Sequence, residues 1–386
     1  MNLIYWCPFL SKVATVRAVL NSAISVKQYS KNKLNPQIIN SVGEWNEFKD
    51  IIENKNIKLI NLFNSKTFYN NLPKNSYLKS RISYFLISLL SFKHLYSFLR
   101  TKDKDDIFII HLISVLPLIL SLMFNFKCKF VLRISGYPKL NIFRKFLWKL
   151  SNKKLSAVMC PTIDTYNDLT QSKIFDKHKC HVLNDPILEV IKFKELKKKK
   201  IEDQITGKKY IINIGRLSRQ KNQSFLIKAF KKILEKDNSF NLIILGEGEL
   251  KNELKILSKK LKIDNKIFFL GHVENVFKYL NNAEYFVLTS KWEDPGFVLL
   301  EAAFTKTSII SADCPNGPKE ILDNEKGGFI FESNNMENFI ETFKKAEITS
   351  NEIKNKKKKE VLKKAMNYTK FRHFKNLSRI IDLIKN

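Results

Sequence analysis

The chain has 386 residues, of which 44% are hydrophobic and 12% aromatic, enough apolar material for two buried cores rather than one. Its formal net charge of +31 favours phosphorylated ligands, anionic lipid or nucleic acid as partners, unless the lysines only reflect an AT-rich genome. The five cysteines form no CxxC pair and match no histidine spacing, which argues against a zinc site and a disulfide framework.

The N-terminal half contains seven candidate strands, NLIYW, PQIINS, IKLINLF, DIFIIH, KFVLRIS, LSAVMC and CHVL. The first ten residues lack the basic and apolar regions of a secretory signal, so we expect a cytoplasmic protein. Residues 107–124 are almost long enough to span a membrane, but His111 and Pro117 interrupt them. A strand IFIIH followed by a helix that begins near Pro117 explains this segment more simply.

A lysine run without strong periodicity occupies residues 184–209, where we place the linker between domains 1–184 and 185–369. The second domain contains the apolar runs YIINI, NLIILG, KIFFLG, EYFVLTS and TSIISA. Amphipathic helical patterns separate these runs, as in βαβ units. The last helix, within residues 370–386, is expected to return to the first domain. The predicted fold is α/β, with two Rossmann-like doubly wound domains facing across a cleft.

Charged motifs follow two strands of the second domain, where ligands of such sheets bind. GRLSRQKN follows YIINI directly, and its Arg216 and Lys221 either reach one diphosphate or are ordinary loop charges. SKWEDPGFVLLEAA follows the fourth strand, with Glu293 before a Pro-Gly turn and Glu301 in an apolar helix. A carboxylate facing inward from that helix needs a partner, which a sugar or ribose diol would provide.

Together with LGEGE and LGHV, these motifs resemble the retaining glycosyltransferases of family 4, which have the type B glycosyltransferase fold. The resemblance covers residues 208–345, and the glutamate spacing in EDPGFVLLE is its most specific feature. It implies transfer of a hexosyl or N-acetylhexosaminyl group from a nucleotide-diphosphate donor to a saccharide or lipid-linked saccharide. The expected pathway is the synthesis of surface polysaccharide such as lipopolysaccharide, O-antigen or capsule. The donor is a substrate, and no metal or cofactor is expected.

The resemblance also implies a role for each motif residue. Arg216 and Lys221 would clamp the donor diphosphate and neutralise the leaving phosphate in place of a metal. Glu293 would contact the transferred sugar from a loop, contributing little to the core, while Glu301 would accept hydrogen bonds from the donor ribose. The base and the phosphates would be held at two further places, the turn Gly271, His272, Val273 and the helix start Gly296, Phe297, Val298.

The N-terminal half departs from the family pattern in two places. The loop PFLSKVATV has no glycine where the family often has a glycine-rich loop, and RISGYPKL places Ser135 where the family often has a histidine. His111, at the end of the preceding strand, is either a donor-sugar contact or acid–base group, or a hydrogen-bonded residue closing a core strand. With Arg133 as a further alternative, His111 and Ser135 join Glu293 as the predicted catalytic residues.

Residues 127–154 contain nine Lys or Arg and no acid. Within them, NIFRKFLWKL predicts a helix with an apolar stripe, basic neighbours and Trp148 at its margin; the stripe is Phe143, Phe146, Leu147 and Leu150, and the basic residues are Arg144, Lys145 and Lys149. This pattern suits a helix lying on an anionic bilayer or a core-facing helix with a solvated basic side. On the first interpretation the protein is peripheral on the inner face of the cytoplasmic membrane, close to a lipid-linked acceptor.

Two other functions are compatible with parts of the sequence. A nucleotide-sugar epimerase of the same fold would also bind a diphosphate, but it would need no acceptor. A basic nucleic-acid-binding protein is supported by charge alone, and the glutamates at the strand ends would repel phosphates, so we expect no nucleic-acid partner. The GEGE turn at residues 246–249 lacks the third glycine of a dinucleotide fingerprint.

Overall fold

The computed structural model describes residues 1–11, 14–63, 68–73, 77–136, 138, 140–293 and 295–385, apart from the side chain of Tyr77. The chain divides into two compact units, of which the first contains Met1–Ile187 with Lys370–Asn386 and the second contains Leu188–Thr369. The sequence analysis placed this boundary three residues earlier, after residue 184.

The described residues of the first unit form seven parallel strands, which are β1 (Asn2–Trp6), β2 (Asn35–Asn40), β3 (Lys58–Asn61), β4 (Ile107–Ile110), β5 (Lys129–Arg133), β6 (Leu155–Cys160) and β7 (Cys180–Val182). They form one sheet in the order β3-β2-β1-β4-β5-β6-β7, and all seven were predicted. Leu3 and Tyr5 of β1 join one buried cluster, whereas Ile4 and Trp6 join the other. Both faces of the sheet are therefore covered, which is why its strands are continuous apolar runs.

Helices cover both faces of this sheet, and they are α1 (Ala14–Tyr29), α2 (Lys49–Asn54), α3 (Phe68–Asn71), α4 (Tyr77–Arg100), α5 (Val115–Met123), α6 (Ile142–Ser151) and α7 (Ile163–Gln171). The helix expected near Pro117 begins two residues earlier, at Val115. Pro117 is then in the first helical turn, where its missing N–H would have no intrahelical partner in any case.

Among the described residues, one helical stretch is long and apolar enough to cross a bilayer by length and composition, namely residues 78–100 of α4. Residues 107–124, also nearly long enough by sequence, contain β4 and α5, which confirms the strand and helix predicted there. Only 28% of the apolar stretch in α4 is buried. Its buried residues recur every fourth position and pack onto the first unit; they are Ser83, Ile87, Ser91, Leu95 and Leu99.

The basic helix predicted near residue 145 is α6, which buries part of its apolar surface and exposes the rest. Leu147 and Trp148 are buried against the first unit, so one residue of the predicted stripe and the residue predicted at its margin face the core. The other apolar side chains point outward and are 46–88% exposed; they are Ile142, Phe143, Phe146 and Leu150.

In the second unit the part of the chain that the structure describes forms six parallel strands, which are β8 (Tyr210–Ile214), β9 (Asn241–Leu245), β10 (Ile267–Gly271), β11 (Tyr285–Leu288), β12 (Ser308–Asp313) and β13 (Phe329–Glu332). Their order is β10-β9-β8-β11-β12-β13. Five of them were predicted. The sequence analysis missed β13, a run of four residues preceded by two glycines.

The helices of the second unit are α8 (Val190–Leu196), α9 (Gln223–Leu234), α10 (Lys251–Lys260), α11 (Phe277–Asn282), α12 (Phe297–Thr305), α13 (Pro318–Ile321), α14 (Met336–Ile348) and α15 (Asn351–Ala365). Helix α8 lies in the lysine-rich segment that was interpreted as a linker. Its Phe193 is buried, with its ring centroid 4.0 Å from that of Phe277 and 5.7 Å from that of Phe304. Much of this segment is therefore packed onto the second unit.

The last helix, α16 (Lys370–Lys385), belongs to the first unit. Its Phe371 ring lies 5.5 Å from the ring of Tyr29 at the end of α1. His373 is buried between the Ser22 hydroxyl and the Asn184 carbonyl, each 2.7 Å from one ring nitrogen. Because a carbonyl only accepts, Nδ1 donates to Asn184 and Nε2 accepts from Ser22.

Candidate functional site

Each sheet reverses its winding at one position, between β1 and β4 in the first unit and between β8 and β11 in the second. Ligands of doubly wound sheets bind at such switch points, beyond the carboxyl ends of the strands. GRLSRQKN follows β8 and SKWEDPG follows β11. The topology therefore places the two charged motifs beside each other at the switch point of the second sheet.

Lys221 and Glu293 form a buried ion pair at this position. The Lys221 Nζ lies 2.6 Å from Glu293 Oε1 and 2.7 Å from Oε2, and the two side chains are 16% and 3% exposed. The Ser290 hydroxyl donates to Oε1 at 2.5 Å. The expectation that Glu293 contributes little to the core is therefore wrong, since a carboxylate at this depth requires such partners.

The loop after β12 holds the backbone of Glu293. Its N–H donates to the Pro315 carbonyl at 3.0 Å, and its carbonyl accepts from the Asn316 side chain at 3.1 Å. Gly317 has φ +126°, and a Cβ there would lie 2.1 Å from the Pro295 carbonyl oxygen, so only glycine fits. Burial raises the pKa of the nearby Cys314 to about 12, which keeps this thiol protonated near neutral pH.

Three side chains that the sequence analysis missed complete this arrangement. One is Ser290, described above. Gln220 donates to the Trp292 carbonyl at 2.9 Å, and the Thr289 hydroxyl donates to the Lys221 carbonyl at 3.0 Å. These bonds join the loop after β8 to the loop after β11. In the sequence, these three side chains are only polar residues in or next to a charged motif. That position does not reveal which group each side chain contacts.

Arg216 is not part of the buried pair. Its side chain is 74% exposed, and its Nε lies 3.3 Å from Glu249 Oε2. Behind it the backbones of two turns touch, since a Cβ on Gly246 would lie only 2.0 Å from the Gly215 carbonyl oxygen. The first glycine of the GEGE turn is thus required for close packing against the loop after β8, independently of any ligand.

The predicted base-binding turn begins at Gly271, the last residue of β10. The Gly271 carbonyl accepts from the Gly246 N–H at 2.7 Å, and a Cβ on Gly271 would lie 2.6 Å from Glu247 Oε1. His272 is exposed and Val273 is half-buried. This turn therefore lies at the same edge of the sheet as the ion pair, beyond the end of β9.

Helix α12 begins directly after the Glu293 loop. Gly296 precedes it with φ +88°, and a Cβ there would lie 3.2 Å from Glu293 Cγ. Phe297, Val298 and Glu301 share one face of the helix and are partly exposed, while the following aliphatic residues fill the core. Glu301 therefore does not face into the core as expected, but lies on the same face as the start of α12.

His111 follows β4 at the switch point of the first sheet. Its backbone N–H donates to the Trp6 carbonyl at 2.8 Å, and its imidazole ring stacks on the ring of Tyr5. The side chain is buried, yet neither ring nitrogen has a hydrogen-bond partner among the described residues. Burial, and secondly the nearby Arg133, lowers the pKa of His111 well below its usual value. The imidazole is therefore neutral near pH 7 and can still form hydrogen bonds.

A cavity of about 150 Å³ adjoins His111 and is also lined by Ser135. The Ser135 hydroxyl faces the Arg133 carbonyl at 3.5 Å. Arg133 itself is buried and pairs with Asp185, with Nη2 2.6 Å from Oδ1. The structure thus brings His111 and Ser135 to one cavity, whereas the charge of Arg133 is paired with that of Asp185 within the first unit.

Residues that could hold a metal do not converge anywhere in the described part of the chain, where no three His, Cys, Asp or Glu side chains form a cluster of that kind. All five cysteines are buried and unpaired. That the reaction needs no metal ion stays a prediction.

Part of the chain is similar to a known protein family. Residues 194–367 match the family model described as glycosyl transferases group 1. An uncharacterized glycosyltransferase of Methanocaldococcus jannaschii is 33% identical over 57% of this chain and 58% of its own length. The N-acetylgalactosamine-N,N'-diacetylbacillosaminyl-diphospho-undecaprenol 4-alpha-N-acetylgalactosaminyltransferase of Campylobacter jejuni is 28% identical over 58% of this chain and 61% of its own. The matched part spans about three fifths of these relatives.

The solved structure of HepE from Anabaena in complex with UDP resembles the chain as a whole. Its TM-score is 0.71 at 14% identity, and the match covers 99% of both chains. At this identity the likeness shows a shared fold.

Proposed function

Since residues 194–367 match the group 1 glycosyl transferases and the chain has the two-domain type B glycosyltransferase fold, we propose that it is a retaining glycosyltransferase using a nucleotide-diphosphate sugar. The observation that carries this proposal is the buried pair of Lys221 and Glu293 at the switch point of the second sheet. The pair provides a cation for the leaving diphosphate and a carboxylate for the positive charge that develops at the anomeric carbon.

The geometry of the pair suits a substrate that carries both charges. Lys221 uses two donor contacts on Glu293, and an ammonium has three hydrogens, so one remains for a phosphate oxygen. Arg216 provides a second cation on an exposed side chain. Negative charge grows on the departing phosphate as the glycosidic bond breaks, and both cations stabilise it without a metal.

The remaining donor contacts come from the same edge of the second sheet. The first amides of α12, at Phe297 and Val298, lie at a helix N-terminus and suit the phosphates. Glu301 lies one helical turn further along the same face and would accept hydrogen bonds from the ribose. The turn Gly271, His272 and Val273 would hold the base.

In the first unit, His111 is the proposed sugar contact. Its imidazole is neutral and lacks partners among the described residues, so one sugar hydroxyl could donate to the unprotonated ring nitrogen or accept from the protonated one. Ser135 lines the same cavity and would form a second hydrogen bond. This assignment replaces the alternative in which His111 is a hydrogen-bonded residue that only closes a core strand.

We propose a saccharide or lipid-linked saccharide acceptor and a role in surface polysaccharide synthesis. The name of the Campylobacter relative describes a transferase acting on a saccharide joined to diphospho-undecaprenol, which supports this acceptor class. The exposed side chains of α6, including Ile142 and Phe146, lie among basic residues and suit peripheral contact with an anionic inner leaflet. Pelleting with anionic vesicles should decrease as salt increases, and pelleting that ignores salt and lipid charge would contradict this mechanism.

Screening a panel of nucleotide sugars tests the main proposal. A donor at 100 times its dissociation constant should stabilise the fold by about 2.7 kcal/mol, and the stabilising donor is then incubated with saccharide and lipid-linked acceptors. A product with the donor's anomeric configuration supports the retaining transfer. Absence of stabilisation by any nucleotide sugar would contradict donor binding, while conversion of the donor without an acceptor would favour the epimerase. We propose no nucleic-acid partner.

A further inference from the structure

Helix α4 carries an apolar stripe that the described residues of the first unit leave exposed. The stripe residues alternate at four- and three-residue spacing, which aligns them on one helical face; they are Leu78, Ile82, Phe85, Leu89 and Phe92, with exposed fractions of 71, 54, 67, 61 and 37%. Single exposed apolar residues are ordinary on a protein surface, but a contiguous row of this kind marks an interaction site.

Part of the stripe forms one wall of a groove of about 390 Å³. Helix α4 contributes Phe85, Leu89 and Phe92, and the facing wall comes from α5 and the residues before it, including Ile113 and Ile119. Leu78 and Ile82 lie on the stripe but outside the groove. The groove is lined almost entirely by carbon atoms, so it suits a hydrocarbon rather than a saccharide.

Shared lining residues place the groove next to an intermediate cavity, and that cavity next to the polar cavity beside His111. An intermediate cavity of about 400 Å³ shares Ile113 and Val115 with the groove, and it shares Arg144 and Trp148 with the cavity of about 150 Å³ that contains His111. The lining therefore changes from aliphatic and aromatic to polar across these three neighbouring cavities. The unpartnered, buried imidazole of His111 independently indicates a polar ligand at the inner end.

The charges around these cavities favour an anionic molecule. Residues 77–102, which include α4, contain five Lys or Arg and no acid, and residues 127–154, which include α6, contain nine and none. Arg144 lines both the intermediate and the polar cavity. A ligand with an anionic group next to a hydrocarbon chain would match both the basic surroundings and the apolar groove.

We infer that the groove between α4 and α5 binds the hydrocarbon chain of an anionic lipid-linked acceptor, whose polar end lies at His111 and Ser135. This inference rests on the proposed function for the class of acceptor. A bilayer surface would contact the whole stripe, including Leu78 and Ile82, whereas a bound chain contacts only the groove. That difference separates the two occupants in an experiment.

Farnesyl diphosphate, which joins a prenyl chain to a diphosphate, is the probe. Its affinity for the full chain is measured by calorimetry below its micellar concentration and compared with that of inorganic diphosphate. We expect the prenyl compound to bind at least about tenfold more tightly, because burial of apolar surface adds to the charge interaction. Leu89→Ser should weaken its binding about tenfold. Ile82→Ser, on the stripe but outside the groove, should leave it within about twofold.

Three further measurements test where the probe binds and control for other effects. Arg216→Ala should leave the affinity for farnesyl diphosphate unchanged, because the groove belongs to the first unit. Titration with UDP reports separately on the donor site, so failure of the proposed function would appear there even if the prenyl compound binds as expected. Ile256→Ser, which removes an equally exposed apolar side chain from α10, controls for general surface effects.

Several outcomes would overturn the inference. These are equal affinity for farnesyl diphosphate and inorganic diphosphate, unchanged binding in Leu89→Ser, and equal losses in Leu89→Ser and Ile82→Ser. If both variants lose binding to anionic vesicles while their affinity for farnesyl diphosphate is unchanged, the stripe is a bilayer contact and the groove is not a chain site.

Discussion

Lys221 donates to both carboxylate oxygens of Glu293, over 2.6 and 2.7 Å, from a position 72 residues earlier in the chain. The resemblance assigned Lys221 to the diphosphate of the donor and Glu293 to its sugar, and in the structure these two side chains contact each other. Because both side chains are largely buried, the pair also supports the fold. Substitutions here should therefore change stability and activity together, and the two effects must be measured separately.

Replacing Glu293 by Gln should reduce turnover by about 100-fold or more, because the charge that stabilises the transition state is lost. It should also destabilise the protein by about 3 kcal/mol, since Lys221 loses its buried counter-charge. Urea unfolding gives the second value, and turnover is measured well below the unfolding midpoint. Glu249→Gln, which breaks the exposed pair with Arg216, should cost less than about 1 kcal/mol. Normal turnover in Glu293→Gln would refute the catalytic assignment.

Replacing either proposed phosphate-binding cation by Ala should weaken binding of UDP about tenfold, because a charge-assisted hydrogen bond contributes roughly 1.5–3 kcal/mol. The two variants should differ in stability. Lys221→Ala leaves Glu293 buried without its cation and should lower the unfolding midpoint, whereas Arg216 is exposed and its removal should not. Calorimetric titration with UDP checks the first expectation, and unchanged affinity in both variants would contradict the clamp.

Excess EDTA should leave the transfer rate unchanged, because Lys221 and Arg216 neutralise the leaving diphosphate in the proposed mechanism. Initial rates are compared with EDTA, with added magnesium and with added manganese. A rate that falls with EDTA and returns with either ion would show that the site depends on a metal.

Replacing Gly317 by Ala should displace the Glu293 loop and reduce turnover by at least about tenfold, since the new Cβ would lie 2.1 Å from the Pro295 carbonyl oxygen. Gly207→Ala is the matched control. Gly207 also has a positive φ, +76°, but nothing lies within 4 Å of a Cβ there, so this variant bears backbone strain without the collision. Equal turnover in the two variants would mean that the loop tolerates the displacement.

Stability of the first unit should fall as the pH decreases, in part because of His373. Burial lowers the pKa of His373 to about 4, below the unfolded value of about 6.5. The contribution of His373 to the free energy of unfolding is therefore fully present above pH 6.5, and it is lost as the pH falls towards 4. Between pH 7 and pH 5 the loss is about 2 kcal/mol. Unfolding free energies at both pH values should show that His373→Gln lacks this decrease, and parallel pH profiles would contradict it.

The comparison with His373→Gln is needed because Glu44 has the opposite effect. Burial raises the pKa of Glu44 to about 7, so the stability from its protonated form is present at low pH and is lost as the pH rises through 7. Both proteins contain Glu44. The difference between their pH profiles therefore isolates the histidine.

The sequence by itself determined twelve of the thirteen strands and the loops that carry the charged motifs. This was possible because strands covered on both faces are continuous apolar runs, which composition reveals without knowledge of the neighbours. β13 is no shorter than β4 or β11, and it was missed because the two glycines directly before it indicate a turn. The motif residues Arg216, Lys221 and Glu293 were found because they directly follow strands.

Only the tertiary structure decided which of these residues meet. It paired Lys221 with Glu293, directed Arg216 towards Glu249, and placed Glu301 on the partly exposed face of α12. The sequence also did not reveal that the stripe of α4 is exposed. Helical periodicity shows that apolar residues share a face, but it does not show whether that face is covered. The partner and the exposure of a side chain depend on how loops and helices pack across the sheet. That packing involves segments that are far apart in the sequence, so no single segment determines it.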